Sequence, residues 1–215
     1  MTYCTDSDLL HWEPNVLKDA VFASQSLISG TGNLAGTTFT IASGSFITSR
    51  VEAGQVMVLS GGLAGCFPIA SVVSATQVNL SVLYDGLFPE QDPGTAIPVG
   101  TATGLSFVVR TFWPQRRMIS DVIQQAAGLS SGELAGAAIL NPRELRRACA
   151  LGTLQLIYSA TAAVSVSPGP FNTRADLYER LYRRALRSAK VELDLNGDGK
   201  IDAIRALSVL EFQRQ

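Results

Sequence analysis

Hydrophobic and polar positions change their period three times along this chain. From Thr5 to Ile28 the apolar residues Leu9, Leu10, Val16, Leu17, Ala20 and Val21 recur at helical spacing, which predicts helix. Thr5 or Ser7 is placed to cap its start, and Asp6 and Asp8 suit the positive end of the helix dipole. Pro14 breaks that turn or opens a second helix at its first position. Past Ile28 the pattern shifts to short β-branched or aromatic runs bounded by Gly, Ser and Asn. These are 37–41, 55–59, 67–73, 77–82 and 105–111, which read as strands. Their close spacing and Gly turns predict a small antiparallel barrel or sandwich. The Pro-bearing stretch 87–94 is a loop.

Helical period returns after Pro114. Met118, Ile119, Val122, Ile123, Ala126 and Ala127 form one stripe, and Gly128 ends it. Asn141-Pro142-Arg143-Glu144 marks another start, with Asn141 as cap and Pro142 at the first helical position; this helix extends to about Ala162. Thr173 is placed to cap a third helix. Its Leu177, Tyr178, Leu181, Tyr182 and Ala185 fall on one side, and Arg180, Arg183, Arg184 and Arg187 on the other. An acidic, turn-rich loop spans 191–202, followed by a short apolar element. The expected class is α+β: a small bundle of about four helices (1–28 with 113–190), an inserted β module (29–112) and an extended C-terminal tail (191–215).

Composition narrows the function. Of the 215 residues 16% are charged, against roughly 25% in an average globular protein. The net charge of −1 is a cancellation: residues 1–115 sum to −5, residues 116–190 to +6 and residues 191–215 to −2. Such segregation suits a partner surface or self-association, with Arg180, Arg183, Arg184 and Arg187 as candidates for contacts between subunits. A single histidine, His11, leaves little room for a Ser-His-Asp, Cys-His or His-rich zinc device. Cys4, Cys66 and Cys149 form no CxxC pair and read as reduced, mostly buried thiols. No membrane span and no signal peptide are expected.

Three motifs carry possible chemistry. Asp194-Leu195-Asn196-Gly197-Asp198-Gly199-Lys200-Ile201-Asp202 matches the first nine positions of a calcium loop. Asp194, Asn196, Asp198 and Asp202 stand where side-chain oxygens converge on one cation, but the twelfth position is Arg205 instead of a carboxylate. An Asx- and Gly-rich turn without metal explains the same residues, so the cofactor expectation is none, with calcium as the alternative. Asp85, Glu90 and Asp92 could pair as glycosidase acids; solvated loop acids are the simpler account, and no catalytic residue is assigned. Gly61-Gly62-Leu63-Ala64-Gly65 lacks the Lys-Ser/Thr of a phosphate loop and reads as a strand turn.

The segment 189–202, with the opening Thr5-Asp6-Ser7-Asp8-Leu9, resembles the ends of head–tail connector (adaptor) proteins of long-tailed bacteriophages and gene transfer agents. The β segments 51–56 and 73–81 resemble small phage modules. This resemblance implies a structural, non-enzymatic virion protein at the neck, made in the host bacterial cytoplasm. It implies a dodecameric ring bound to the portal protein, joining the capsid to the next neck ring (stopper or head-closure protein) or tail component. Genomic DNA would pass through the channel without sequence-specific binding, and no membrane is involved. The tail, with Leu207, Val209, Leu210 and Phe212, would dock on the portal. The alternative is a calcium-binding interaction protein built on the 194–202 loop.

Overall fold

The computed structural model describes residues 2–84, 95–130 and 136–207. The fold is α+β, with a closed six-stranded antiparallel barrel and, among the described residues, five α-helices. By contacts the chain divides into two compact units, Thr5–Phe112 and Met1–Cys4 with Trp113–Gln215.

The first unit opens with α1 (Asp6–Leu10), α2 (Val16–Asp19) and a 3-10 turn (Ala23–Gln25). A continuous helix over 5–28 does not form. Pro14 has no N–H to give and disfavours helical backbone at Glu13, so α1 closes with Trp12 and Glu13 both bonding back to Leu9 O. Residues 5–28, grouped from sequence with the C-terminal helices, here belong with the barrel. Ser7 N donates to Gly54 O, α1 packs on the strand carrying Ile69, and Leu9, Leu10, Val16 and Leu17 are buried. The fully buried Asp6 carboxylate accepts from Thr111 Oγ1 at 2.7 Å and Phe112 N at 2.9 Å, tying the first residues of this unit to its last. Such charge-assisted bonds are what make a buried carboxylate tolerable.

The barrel strands are β1 (Ser26–Gly36), β2 (Thr38–Ile41), β3 (Val56–Ser60), β4 (Gly65–Val72), β5 (Gln77–Leu80) and β6 (Gly100–Arg110). Their order is β1-β2-β5-β4-β3-β6, and β6 pairs back onto β1, so no edge is left open. Phe39, Phe46, Met57, Leu59, Leu80 and Phe107 lead the core. Phe39 meets Phe107 edge-to-face at 5.1 Å. β1 was not legible as a strand, because Gly30, Gly32, Asn33 and its serines break the alternation. The gap they leave is filled from outside. A Cβ on Gly32 would sit 2.6 Å from the Phe39 ring and from Thr40 O, so the ring occupies the side-chain space of position 32.

The second unit holds α3 (Trp113–Ala126), α4 (Pro142–Val164), α5 (Gly169–Ser188) and a hairpin of β7 (Lys190–Leu193) and β8 (Ala203–Ala206). α4 is its centre: every residue from Ala148 to Leu154 is buried. Gly152 lets neighbours close in, with Ile119 and Tyr182 atoms 3.0 Å from where its Cβ would be. Tyr158 is fully buried and stacks with the rings of Phe171 and Tyr178, and Arg174 lies over it, donating to its hydroxyl. α5 starts at Gly169, so Thr173 lies one turn inside the helix and donates to Gly169 O instead of capping. Residues 190–206, expected as part of an extended tail, fold into the hairpin.

Candidate functional site

The chemistry singled out in the sequence converges on the C-terminal hairpin and the helix before it. Lys190 pairs with Ala206 and Leu193 with Ala203, leaving 194–202 as the connecting loop. Asn141 stands at the start of α4, but its carboxamide is spent on β7. Nδ2 donates to Lys190 O at 3.0 Å, and Oδ1 accepts from Glu192 N at 2.9 Å. Leu140 N to Glu192 O and Asp194 N to Ala138 O continue the seam. Val191 and Leu193 are fully buried, so the hairpin is anchored by its own apolar side chains.

The loop is a closed set of Asx turns. Asp194 Oδ2 accepts from Gly199 N at 2.7 Å, and its Oδ1 from Gly197 N at 2.6 Å and Asp198 N at 3.3 Å. Asp202 accepts from the N–H groups of Leu195 and Asn196, and Asn196 and Asp198 each accept from the residue two ahead. Gly197 and Gly199 take the left-handed backbone these turns need, at φ +80° and +78°. The Gly199 N–H above all, joined by those of Gly197, Asp198 and Asn196, outweighs the opposing effect of desolvation and holds the Asp194 carboxyl below its ordinary value. That contribution to the folded state is present above the unfolded aspartate pKa and is lost as pH falls through the lower folded value. All four calcium candidates, Asp194, Asn196, Asp198 and Asp202, take part in these bonds. Among the described residues, no three His, Cys, Asp or Glu side chains converge to hold a metal ion.

Arg205, the residue that departs from the calcium pattern, has a different task. Its Nη1 donates to Ala127 O at 2.7 Å, satisfying a carbonyl at the end of α3. Gly128 has φ +75°, and a Cβ there would lie 2.1 Å from the same Nη1, so the chain narrows at Gly128 to admit the guanidinium. Nothing in the sequence marks this partnership across 78 positions.

Arg180, Arg184 and Arg187 are exposed on α5, and Arg183 forms an i,i+4 ion pair with Glu179. Leu207 is buried and its N–H donates to Ala189 O, so it belongs to the hairpin's own anchor. Val209, Leu210 and Phe212 lie outside the described residues, as do Asp85, Glu90 and Asp92. His11 Nδ1 lies 3.3 Å from Ser7 O and has no place in this site. Sequence reasoning passed over three apolar side chains that the hairpin displays to solvent: Leu195, Ile201 and Ile204 are 55%, 52% and 61% exposed. Leu195 and Ile201 were legible as apolar residues within a polar loop.

Among the described residues, no helix is long and apolar enough to cross a membrane. No protein-family model, curated protein or solved structure matches the chain.

Proposed function

We propose that this chain is a structural adaptor of a virion neck. It would assemble as a ring on the portal and carry the next neck or tail component, with DNA passing through its channel. The observation that carries this reading is the display of Leu195, Ile201 and Ile204 on a hairpin braced by Asn141 and Arg205. Exposed aliphatic side chains on a pre-ordered scaffold bind a protein groove without the entropic cost of ordering a loose segment. The hairpin leads directly into the 208–215 tail, so both form one docking element. The exposed arginines of α5 supply the complementary charge between neighbouring subunits, since the barrel unit sums to −5. The resemblance of 5–9 and 189–202 to connector proteins supports the same reading.

The test is binding to portal-bearing heads, scored by co-sedimentation and by electron microscopy for rings. The full chain is expected to bind. Truncation after Leu207, which spares the hairpin, or the double change I201S/I204S is expected to reduce binding at least tenfold with an unchanged circular dichroism spectrum. Undiminished binding by both variants would overturn the assignment.

A further inference from the structure

Away from the hairpin, the helical unit brings together two cysteines that lie 145 positions apart in sequence. Cys4 Sγ and Cys149 Sγ are 2.8 Å apart, and both residues are buried. The surroundings fix each partner separately. Arg116 Nη1 donates to Cys4 O at 2.7 Å, and Tyr3 N donates to Ser120 Oγ at 3.2 Å, holding the 2–4 segment against α3. Ser120 Oγ lies 3.5 Å from Cys149 Sγ, and Arg116 O lies 3.9 Å from it. Two thiols that merely filled space in an apolar core would meet at van der Waals distance. These are closer, and less than about 1 Å of movement brings them to the disulfide length of about 2.05 Å.

We propose that Cys4 and Cys149 form a redox-convertible pair, a covalent modification site that closes to an intramolecular disulfide. A low-molecular-weight disulfide such as oxidised glutathione supplies the oxidising equivalents. Local opening of the 2–4 segment exposes the otherwise buried Cys4, whose thiolate attacks a glutathione sulfur, forming a mixed disulfide and releasing one glutathione thiolate. The thiolate of the other then attacks the protein sulfur of that bond and displaces the second glutathione thiolate. Two protein thiols lose two electrons and two protons, and one oxidant disulfide becomes two thiols.

The environment favours Cys149 as a thiolate. Burial pushes its thiol up, but the Cys4 thiol, the Ser120 hydroxyl and the Arg116 charge more than offset this and hold it below the usual cysteine range. Burial pushes the half-buried Cys66 thiol up, which makes it the internal control. The closed loop contains the whole Thr5–Phe112 unit in sequence, so the bond joins the residue just before that unit to the central helix α4.

The test uses the full chain, equilibrated with oxidised glutathione, acid-quenched, denatured and alkylated before intact-mass and peptide analysis. Three alkylatable thiols are expected to fall to one, Cys66, with a Cys4–Cys149 peptide pair, no dimer, and full recovery with dithiothreitol. The oxidised form is expected to melt roughly 5–10 °C higher, because cross-linking a long loop restricts the unfolded chain. In C149A, both remaining thiols are expected to stay free of any intramolecular bond. Three thiols persisting in the wild-type chain, a bond through Cys66 or between chains, or an oxidised form that melts no higher would each overturn the proposal. The wild-type measurements decide it even where C149A does not fold.

Discussion

Gly32 shows how a residue with no side chain can be specified as tightly as a core aromatic. Its missing Cβ is the space taken by the Phe39 ring, and Thr40 O stands equally near at 2.6 Å. A methyl group there displaces backbone as well as ring, and overpacking of this kind costs about 1–3 kcal/mol. Gly32→Ala is therefore expected to destabilise the barrel by about 2 kcal/mol in denaturant unfolding followed by near-ultraviolet signal. Gly62→Ala, where a Cβ meets nothing within 4 Å, is the control and should shift the midpoint little. Glycine identity was legible in both cases. The difference between them was not, because it depends on a ring supplied by another strand.

At the scale of elements, legibility followed how much each segment depends on its own side chains. β2, β3, β5 and the second half of β6 carry their own β-branched and aromatic residues, and the sequence located them within a few positions. β1 borrows Phe39 and pairs with two neighbours, so its strand character comes from its partners. The helical period of α3 and the Asn141-Pro142 start of α4 were likewise local signals, and both helices form. Met118 and Val122 of the α3 stripe are exposed, however, and Asn141 does not cap with its side chain. The hairpin β7–β8 was not read, since Asn141 and Ala138 reach it from elsewhere and its own Arg205 reaches out to Ala127. Within the candidate site, the Asp/Gly loop and the α5 arginines were legible as motifs. Their surroundings, and the role of Arg205, were not. Arg205→Met keeps the length of the side chain and removes its hydrogen bond to the end of α3. It is expected to cost about 1 kcal/mol in thermal unfolding, and hydrogen exchange should speed up over 203–206 before the rest of the helical unit.

At the scale of the whole chain, the two units differ in charge as well as in structure. Thr5–Phe112 sums to −5 while the remainder sums to +4, so the near-neutral total describes neither. Each unit has its own buried core: aromatic residues lead the barrel, and α4 is the axis of the helices. The barrel unit meets the usual conditions for independent folding, with no open strand edge and a continuous apolar interior. A fragment spanning 5–112 is expected to give a dispersed amide spectrum and one cooperative melt. Collapsed amide dispersion for that fragment would mean that the division by contacts is not a division in stability.

The Asp6 carboxylate, bonded at once to Thr111 and Phe112, brings the first and last residues of that unit together. A stretch of chain whose ends already meet can enter or leave a host gene in a single recombination event, with only a short gap for the flanking segments to bridge. Exchange or loss of the lobe between the positions of Cys4 and Trp113 is thus a short evolutionary step for such a chain.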